Sequence, residues 1–334
     1  MSIVRSLAAA LVVLTSPLAA LAFSFVPGHF YSAGETGINQ YNTTGTLLGT
    51  LPIATGLYDL RGIAFGPDGL LYVVRENNAI TSSPARVDVI NEAGTVVRSY
   101  AYPGIVSNNI TYGKISFDLS GQSFYVGGWD GVYRFDVGGS SGALYLNTQS
   151  VFDVRPLANG QMLVATNYDV RRYSSSGQLL GTVSTLADPN GVSGTSFPWL
   201  VDVRGLEYDP TTNTTFVSML GYSDFFFKII ALSGFSNVIT GVASYTYGAD
   251  MTVTPDGRLL VGSWTQAPGL FTTSLDYQGQ FGGGDALFVA MMPVPEPSAA
   301  LLLLAGLAGL WTRRRAAAQV LWRSPDTFTS GTSS

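Results

Sequence analysis

Short apolar runs closed by Gly, Asn, Asp or Pro recur along most of the chain, and this spacing predicts β-strands joined by tight turns. One unit repeats: a strand, a turn carrying Pro, Asp or Asn before Gly, then a second, more apolar strand. The second strands read His29-Phe-Tyr-Ser, Leu70-Leu-Tyr-Val-Val, Gln122-Ser-Phe-Tyr-Val, Gln161-Met-Leu-Val-Ala, Thr214-Thr-Phe-Val-Ser and Arg258-Leu-Leu-Val-Gly. Five of them follow a first strand: Gly62-Ile-Ala-Phe-Gly-Pro-Asp-Gly69, Lys114-Ile-Ser-Phe-Asp-Leu-Ser-Gly121, Asp153-Val-Arg-Pro-Leu-Ala-Asn-Gly160, Gly205-Leu-Glu-Tyr-Asp-Pro210 and Asp250-Met-Thr-Val-Thr-Pro-Asp-Gly257. The Asp-Gly and Asn-Gly pairs predict two-residue hairpins with positive φ. Third strands end at a Gly turn of their own. Gly37-Ile-Asn-Gln-Tyr-Asn-Thr-Thr-Gly-Thr-Leu-Leu-Gly49 and Val170-Arg-Arg-Tyr-Ser-Ser-Ser-Gly-Gln-Leu-Leu-Gly181 are near copies.

The copies lie about 38 to 54 residues apart, the length of a four-stranded propeller blade. The copy at His29 lacks a first strand, and the stretch Asp285-Ala-Leu-Phe-Val-Ala-Met-Met292 lacks a blade to follow. Pairing these two closes a ring and removes exposed sheet edges. The expected fold is therefore all-β: a β-propeller of six four-stranded blades over residues 23–292, closed by its last strand. A β-sandwich also has short alternating strands, but repeats of blade length argue against it. The pattern Gly-Ile-Ala-Phe-Gly-Pro-Asp-Gly-Leu-Leu-Tyr-Val resembles the NHL and gluconolactonase-like propellers over most of residues 29–292.

The ends read differently. Arg5, the apolar stretch Leu7–Leu14 and Ala20-Leu21-Ala22 form the charged, greasy and small-residue zones of a signal peptide, with cleavage by signal peptidase expected before Phe23. Residues 298–311 are uncharged and are followed by Arg313, Arg314 and Arg315. As a helix this run would extend about 21 Å against a hydrocarbon core of about 30 Å, a short transmembrane helix whose arginines stay cytoplasmic and leave the large domain outside. Val294, Pro295, Glu296 and Pro297, then the apolar run and the arginines, resemble the PEP-CTERM sorting signal of Gram-negative bacteria, which spans 293–315 here. That resemblance implies recognition by exosortase, cleavage near the Pro-Glu-Pro, and attachment or release at the envelope, at the outer surface or outside the cell, often with exopolysaccharide genes alongside. Residues 316–334 extend past the usual end of the signal and are rich in Ser and Thr, as in disordered tails.

Charged residues make up 12% of the chain, and it has no cysteine, so disulfides, thiolate metal sites and a Cys nucleophile are excluded. Residues 23–292 hold 12 Lys/Arg against 20 Asp/Glu, which disfavours phosphate backbones, and no nucleic-acid partner is expected. His29 is the only histidine, and no Gly-x-Ser-x-Gly elbow surrounds a serine.

Innermost propeller strands gather their first residues around one channel mouth. Asp59-Leu-Arg61-Gly and Asp202-Val-Arg204-Gly are matching words there, with Asp153, Asp250 and Lys114 aligned to the glycine. Such a ring could hold a cation through its carboxylates, or a sugar or anionic polymer through its guanidinium groups, but its recurrence in several blades suits charge pairs that bridge blades. No cofactor is therefore expected, calcium being the one ion these carboxylates would suit. The gluconolactonase resemblance implies a divalent metal held by Glu, Asn and Asp; Asp59, Asn109, Asp153, Asp202 and Asp250 are the nearest equivalents. No glutamate falls early in a blade, and Glu207 lies mid-strand. Trp129, Trp199 and Trp264 offer flat rings to a sugar face or to blade packing, and the loop 186–200 is the best candidate for recognition. The function expected is non-enzymatic: an exported matrix or binding propeller, with polysaccharide or an envelope protein as partner. The alternative is a metal-dependent gluconolactonase-like hydrolase using the channel-mouth carboxylates.

Overall fold

The computed structural model describes residues 23–34, 37–53, 60–75, 85–102, 113–167, 169–185, 201–221, 227–246, 248–263, 265–283, 286 and 288–294. The signal peptide, the sorting signal from Pro295 on and the tail lie outside these residues, as do Asp59, Asn109, Trp199, Trp264 and the loop 186–200. Among the described residues no helix is long and apolar enough to cross a membrane.

Among the described residues twenty-four strands form six four-stranded sheets. Blade I holds β1 (Phe30–Gly34), β2 (Gly37–Tyr41) and β3 (Leu47–Leu51). Blade II holds β4 (Leu60–Phe65), β5 (Leu71–Arg75), β6 (Arg86–Ile90) and β7 (Val96–Ala101). Blade III holds β8 (Ile115–Phe117), β9 (Ser123–Gly127), β10 (Gly131–Asp136) and β11 (Gly142–Asn147). Blade IV holds β12 (Val151–Pro156), β13 (Met162–Thr166), β14 (Asp169–Tyr173) and β15 (Leu179–Thr185). Blade V holds β16 (Val201–Asp209), β17 (Thr214–Gly221), β18 (Phe227–Ser233) and β19 (Ile239–Ser244). Blade VI holds β20 (Gly248–Val253), β21 (Leu259–Ser263), β22 (Gly269–Phe271) and β23 (Tyr277–Gln280). The last strand, β24 (Phe288–Met291), returns to blade I and pairs antiparallel with β1, Phe30 opposite Met291 and Ala33 opposite Phe288. The architecture is a six-bladed β-propeller closed by its C-terminal strand.

Middle strands lie between two neighbouring blades, so both of their faces are covered, and β5, β9, β13 and β21 are buried at every position. This is why the second strands read as continuous apolar runs rather than alternating ones. Aromatic rings fill the wedges between blades: Tyr72 of blade II meets Phe117 and Phe124 of blade III edge-on at 5.0 and 5.3 Å. Behind the predicted cleavage site, Phe25 is buried against Tyr31 and Phe65 at 5.8 and 5.1 Å, and Gln40 Nε2 donates to the Ser24 carbonyl at 2.9 Å. The segment that follows Ala22 is thus part of the folded ring.

The turns between first and second strands differ from the two-residue hairpins that Asp-Gly suggests. Gly69 donates its N–H to the Gly66 carbonyl at 3.0 Å, so Pro67 and Asp68 are the central pair and Gly69 comes after them. Proline fixes φ near −65°, which fits a type I turn and forbids the mirror-image turn; only the following residue then needs positive φ. Gly69, Gly121, Gly160 and Gly257 supply it with φ of 66 to 78°, and in blade V Asn213 does so at 52°.

The near copies at Leu47-Leu48 and Leu179-Leu180 have a physical cause. In each, the outermost strand slips register after the turn: Tyr41 opposes Leu47 but Gln40 opposes Gly49, and Tyr173 opposes Leu179 but Arg172 opposes Gly181. The extra residue is a β-bulge, which twists an exposed edge away from sticking to another edge. Four apolar side chains are left half exposed as a result, Leu47 and Leu48 at 51% and Leu179 and Leu180 at 51% and 42%.

Antiparallel order within each blade places connections alternately on two faces. One face carries the short turns of first-to-second and third-to-fourth strands, together with the segment before β1 and the residues after β24, where Gly28 donates its N–H to the Met292 carbonyl at 2.8 Å. The connections between β3 and β4, β5 and β6, β7 and β8, and β15 and β16 start and finish at the opposite ends of their strands, and most of their residues lie outside the described ones.

Candidate functional site at the propeller axis

Four of the innermost strands bring ionisable side chains to one buried cluster. Lys114 lies just before β8, Asp153 and Arg155 on β12, Glu207 on β16 and Asp250 on β20, so blades III to VI all contribute. Asp153, Glu207 and Asp250 retain 1 to 3% exposure and Lys114 7%. The ammonium is the hub. Lys114 Nζ sits 3.2 Å from Asp250 Oδ1, 3.4 Å from Glu207 Oε2 and 3.9 Å from Asp153 Oδ2. It donates to the Met251 carbonyl, and the Leu206 carbonyl lies at 3.4 Å. Arg155 Nη2 closes the set from the side at 2.8 Å from Glu207 Oε1.

The carboxylates also join blades. Asp153 accepts the N–H of Val154 at 2.7 Å on one oxygen and that of Leu206, in blade V, at 2.7 Å on the other. Asp250 accepts from Met251 at 2.8 Å and from Val289 of the closing strand at 3.0 Å. Between blades II and III the same aligned position is Gly62. A Cβ there would fall on the Gly113 carbonyl, while Gly113 donates its N–H to the Arg61 carbonyl at 2.7 Å. The inner strands of blades II and III are therefore joined backbone to backbone, whereas a carboxylate links blades IV and V and blades VI and I.

Two cations and three carboxylates leave this set one negative charge in excess when all are ionised. Burial pushes the Asp153 carboxyl up to about 7, Lys114 pulling against that rise and Asp250 adding to it. Asp250 is pushed up by the same burial, again against Lys114. Burial alone would push the ammonium down, but the charges of Asp250, Asp153 and Glu207 outweigh it and raise Lys114 above the ordinary lysine range.

A pH dependence follows. The native state keeps on Asp153 a proton that the unfolded chain, titrating near 3.9, has released. Stability from this carboxyl is therefore fully present below about pH 4, declines as pH rises to about 7 and is level above that. Asp153→Asn removes this slope: between pH 5 and pH 8 the variant is expected to gain on the wild type by an amount on the order of 2 kcal/mol. Denaturant unfolding across that range checks it. The readout is the change in the difference with pH, because the amide also loses one of the two backbone acceptors and carries a constant cost.

Of the other residues expected at this mouth, Arg61 is buried on β4, and Arg204 holds its guanidinium 5.2 Å above the Phe152 ring as a cation–π contact. Asp202 is described only by its backbone, which pairs with Leu220. Phe152 belongs to the same core cluster as Ile63, Phe288 and Leu60, so apolar side chains of blades I, II and IV meet alongside the charges. Trp129 is 48% exposed on the turn between β9 and β10, and its carbonyl accepts the Ser150 N–H at 2.7 Å. Val294 is exposed. Among the described residues no group of three or more His, Cys, Asp or Glu is arranged to hold a metal ion.

Of the remaining members of the cluster, Glu207 is noted in the sequence only as a mid-strand residue without a role, and Arg155 is not singled out there. Both stand two positions after the aligned Gly/Asp/Lys column. Residues i and i+2 of a strand share a face, so a charge at either position on an innermost strand points the same way as Asp153. That signal was present in Asp153-Val-Arg155 and Gly205-Leu-Glu207.

No protein-family model matches the chain, and no curated protein does. Solved structures do. A protein of unknown function from Bacteroides caccae superposes with a TM-score of 0.57 at 14% identity, over 81% of this chain and 100% of that one. Hydrazine synthase of Kuenenia stuttgartiensis gives a TM-score of 0.52 at 13% identity, over 82% and 91%. The likeness is one of fold alone. A propeller ring hosts many unrelated functions, so activity must be argued from this chain's own side chains.

Proposed function

We propose that the protein is an exported, envelope-sorted propeller that binds exopolysaccharide or another envelope protein through its long-loop face and carries out no chemistry of its own. The asymmetry between its two faces carries this reading. The first-to-second and third-to-fourth connections are short turns, whereas the long connections all start and finish at the opposite ends of their strands, and loops on rigid scaffolds are where recognition resides. The two ends of the chain add their part. Ala20-Leu21-Ala22 before a folded Phe25 suits export, and Val294-Pro295-Glu296-Pro297 ahead of the apolar run and Arg313–Arg315 suits exosortase.

The competing reading, a gluconolactonase-like hydrolase, draws on the carboxylates at the axis. Those carboxylates face an ammonium, and a hydrolase of that kind would need the same place for a divalent metal. Binding assays on alginate, cellulose and dextran, together with envelope fractions, test the proposal. Saturable binding is expected to at least one, and to be lost when residues 186–200 are replaced by a short Gly-Ser linker. Absence of binding to all of them would overturn it, as would turnover of a lactone at an ordinary enzymatic rate of about 1 s⁻¹ or faster.

A further inference from the structure

Five oxygens from three blades surround Lys114 Nζ within 4 Å: carboxylate oxygens of Asp153, Glu207 and Asp250 and the carbonyls of Leu206 and Met251. An ammonium has three protons to donate, so this shell is richer than a lysine needs for hydrogen bonding and resembles the coordination shell of a cation. We propose that the axis is a receptor for an ammonium-sized cation and that the protein fills it permanently with its own side chain. With the Lys114 amine removed, the cage takes a free alkylammonium in its place.

The distances choose the class of ion. Separations of 3.2 to 3.9 Å between Nζ and the carboxylates suit a cation the size of ammonium. Calcium, with ligands at about 2.3–2.6 Å, would require the carboxylates to close in by about 1 Å. They are not free to do so. Both oxygens of Asp153 and both of Asp250 accept backbone N–H groups, two of them from the next blade, which holds each carboxylate at its radius from the axis. The lysine butyl chain reaches this point from the start of β8, so truncation to alanine vacates a space long enough for a small alkylamine.

The test uses the full chain carrying Lys114→Ala, melted alone and with 50 mM propylammonium, ammonium, potassium or calcium chloride. Propylammonium is expected to raise the Tm of the variant by about 5 °C, an occupancy effect of roughly 2 kcal/mol, and to leave the wild type unchanged. Calcium is expected to give a smaller rise than propylammonium. Lys114→Ala combined with Asp250→Asn should lose the response. Where Lys114→Ala does not fold, Lys114→Gln, which keeps bulk and a donor, is melted in the same series with ammonium as the probe. An unchanged Tm of the folded variant with every amine overturns the proposal, and so does an equal rise in the wild type. Preference for calcium over propylammonium would also overturn it, by making the cage a divalent site. Binding through the loop face is measured on the wild type, so failure of the cation cage leaves the polysaccharide assay to stand or fall separately.

Discussion

A chain ending at residue 284 should fail to fold cooperatively, while one ending at Val294 should melt as the full chain does. The difference between them is the closing strand. β24 supplies the innermost strand of blade I, and its loss strips β1 of the pairs from Phe30–Met291 to Ala33–Phe288. It also removes Phe288, Val289 and Ala290, each under 7% exposed, from contact with blades I, II and VI. Burial of these side chains contributes on the order of 5 kcal/mol, comparable with the whole net stability of a domain, about 5–15 kcal/mol. Asp250 would at the same time lose the Val289 N–H that one of its oxygens accepts. The exposed edge of β1 is apolar and lacks the bulge that blunts the outer strands, so the truncated chain is expected to aggregate. Circular dichroism melting and gel filtration decide it: a shortened chain that stays monomeric with an unchanged Tm would mean the ring does not depend on its last strand.

That closure was legible in the sequence because two defects matched, a second strand at His29 with no first strand and a terminal strand with no blade. The six second strands were legible for a related reason. Burial on both faces imposes continuous apolar runs, and tight turns impose glycine at fixed intervals. Asp-Gly alone points to the wrong turn type, because Pro67 occupies the first central position and moves Gly69 to the residue after. The axial cluster was only half legible. Asp153, Asp250 and Lys114 share one alignment column, but Glu207 and Arg155 stand two residues on. Their convergence depends on how far each blade is rotated about the ring, a quantity that linear spacing does not encode. The Leu-Leu pairs were visible as near copies, while their cause, a register slip at an exposed edge, became apparent only from the strand pairing.

Lys114→Met should cost about 3–5 kcal/mol and lower the Tm by about 10 °C, the largest effect expected of any single side chain in the ring. The thioether matches the lysine stem in length and apolar character, so packing along the stem is nearly unchanged and the lost charge dominates. Three buried carboxylates would then face one another with only Arg155, bonded to Glu207, left to offset them. Breaking a buried ionic set is costly because it leaves charges without partners, whereas removing the charges together is often close to neutral. The triple variant Lys114→Met, Asp153→Asn, Asp250→Asn should therefore recover more than half of what the single variant loses, since Arg155 and Glu207 remain as a balanced pair. The single variant should also regain stability as pH falls from about 8, because Asp153, at about 7 beside the ammonium, titrates higher without it and takes up its proton in the native state. Thermal denaturation of the wild type, the single variant and the triple variant at pH 5 and pH 8 separates these contributions. A triple variant less stable than the single one would show that the cluster contributes net stability beyond mutual compensation, and a single variant as stable as the wild type would remove Lys114 from its place at the centre of the fold.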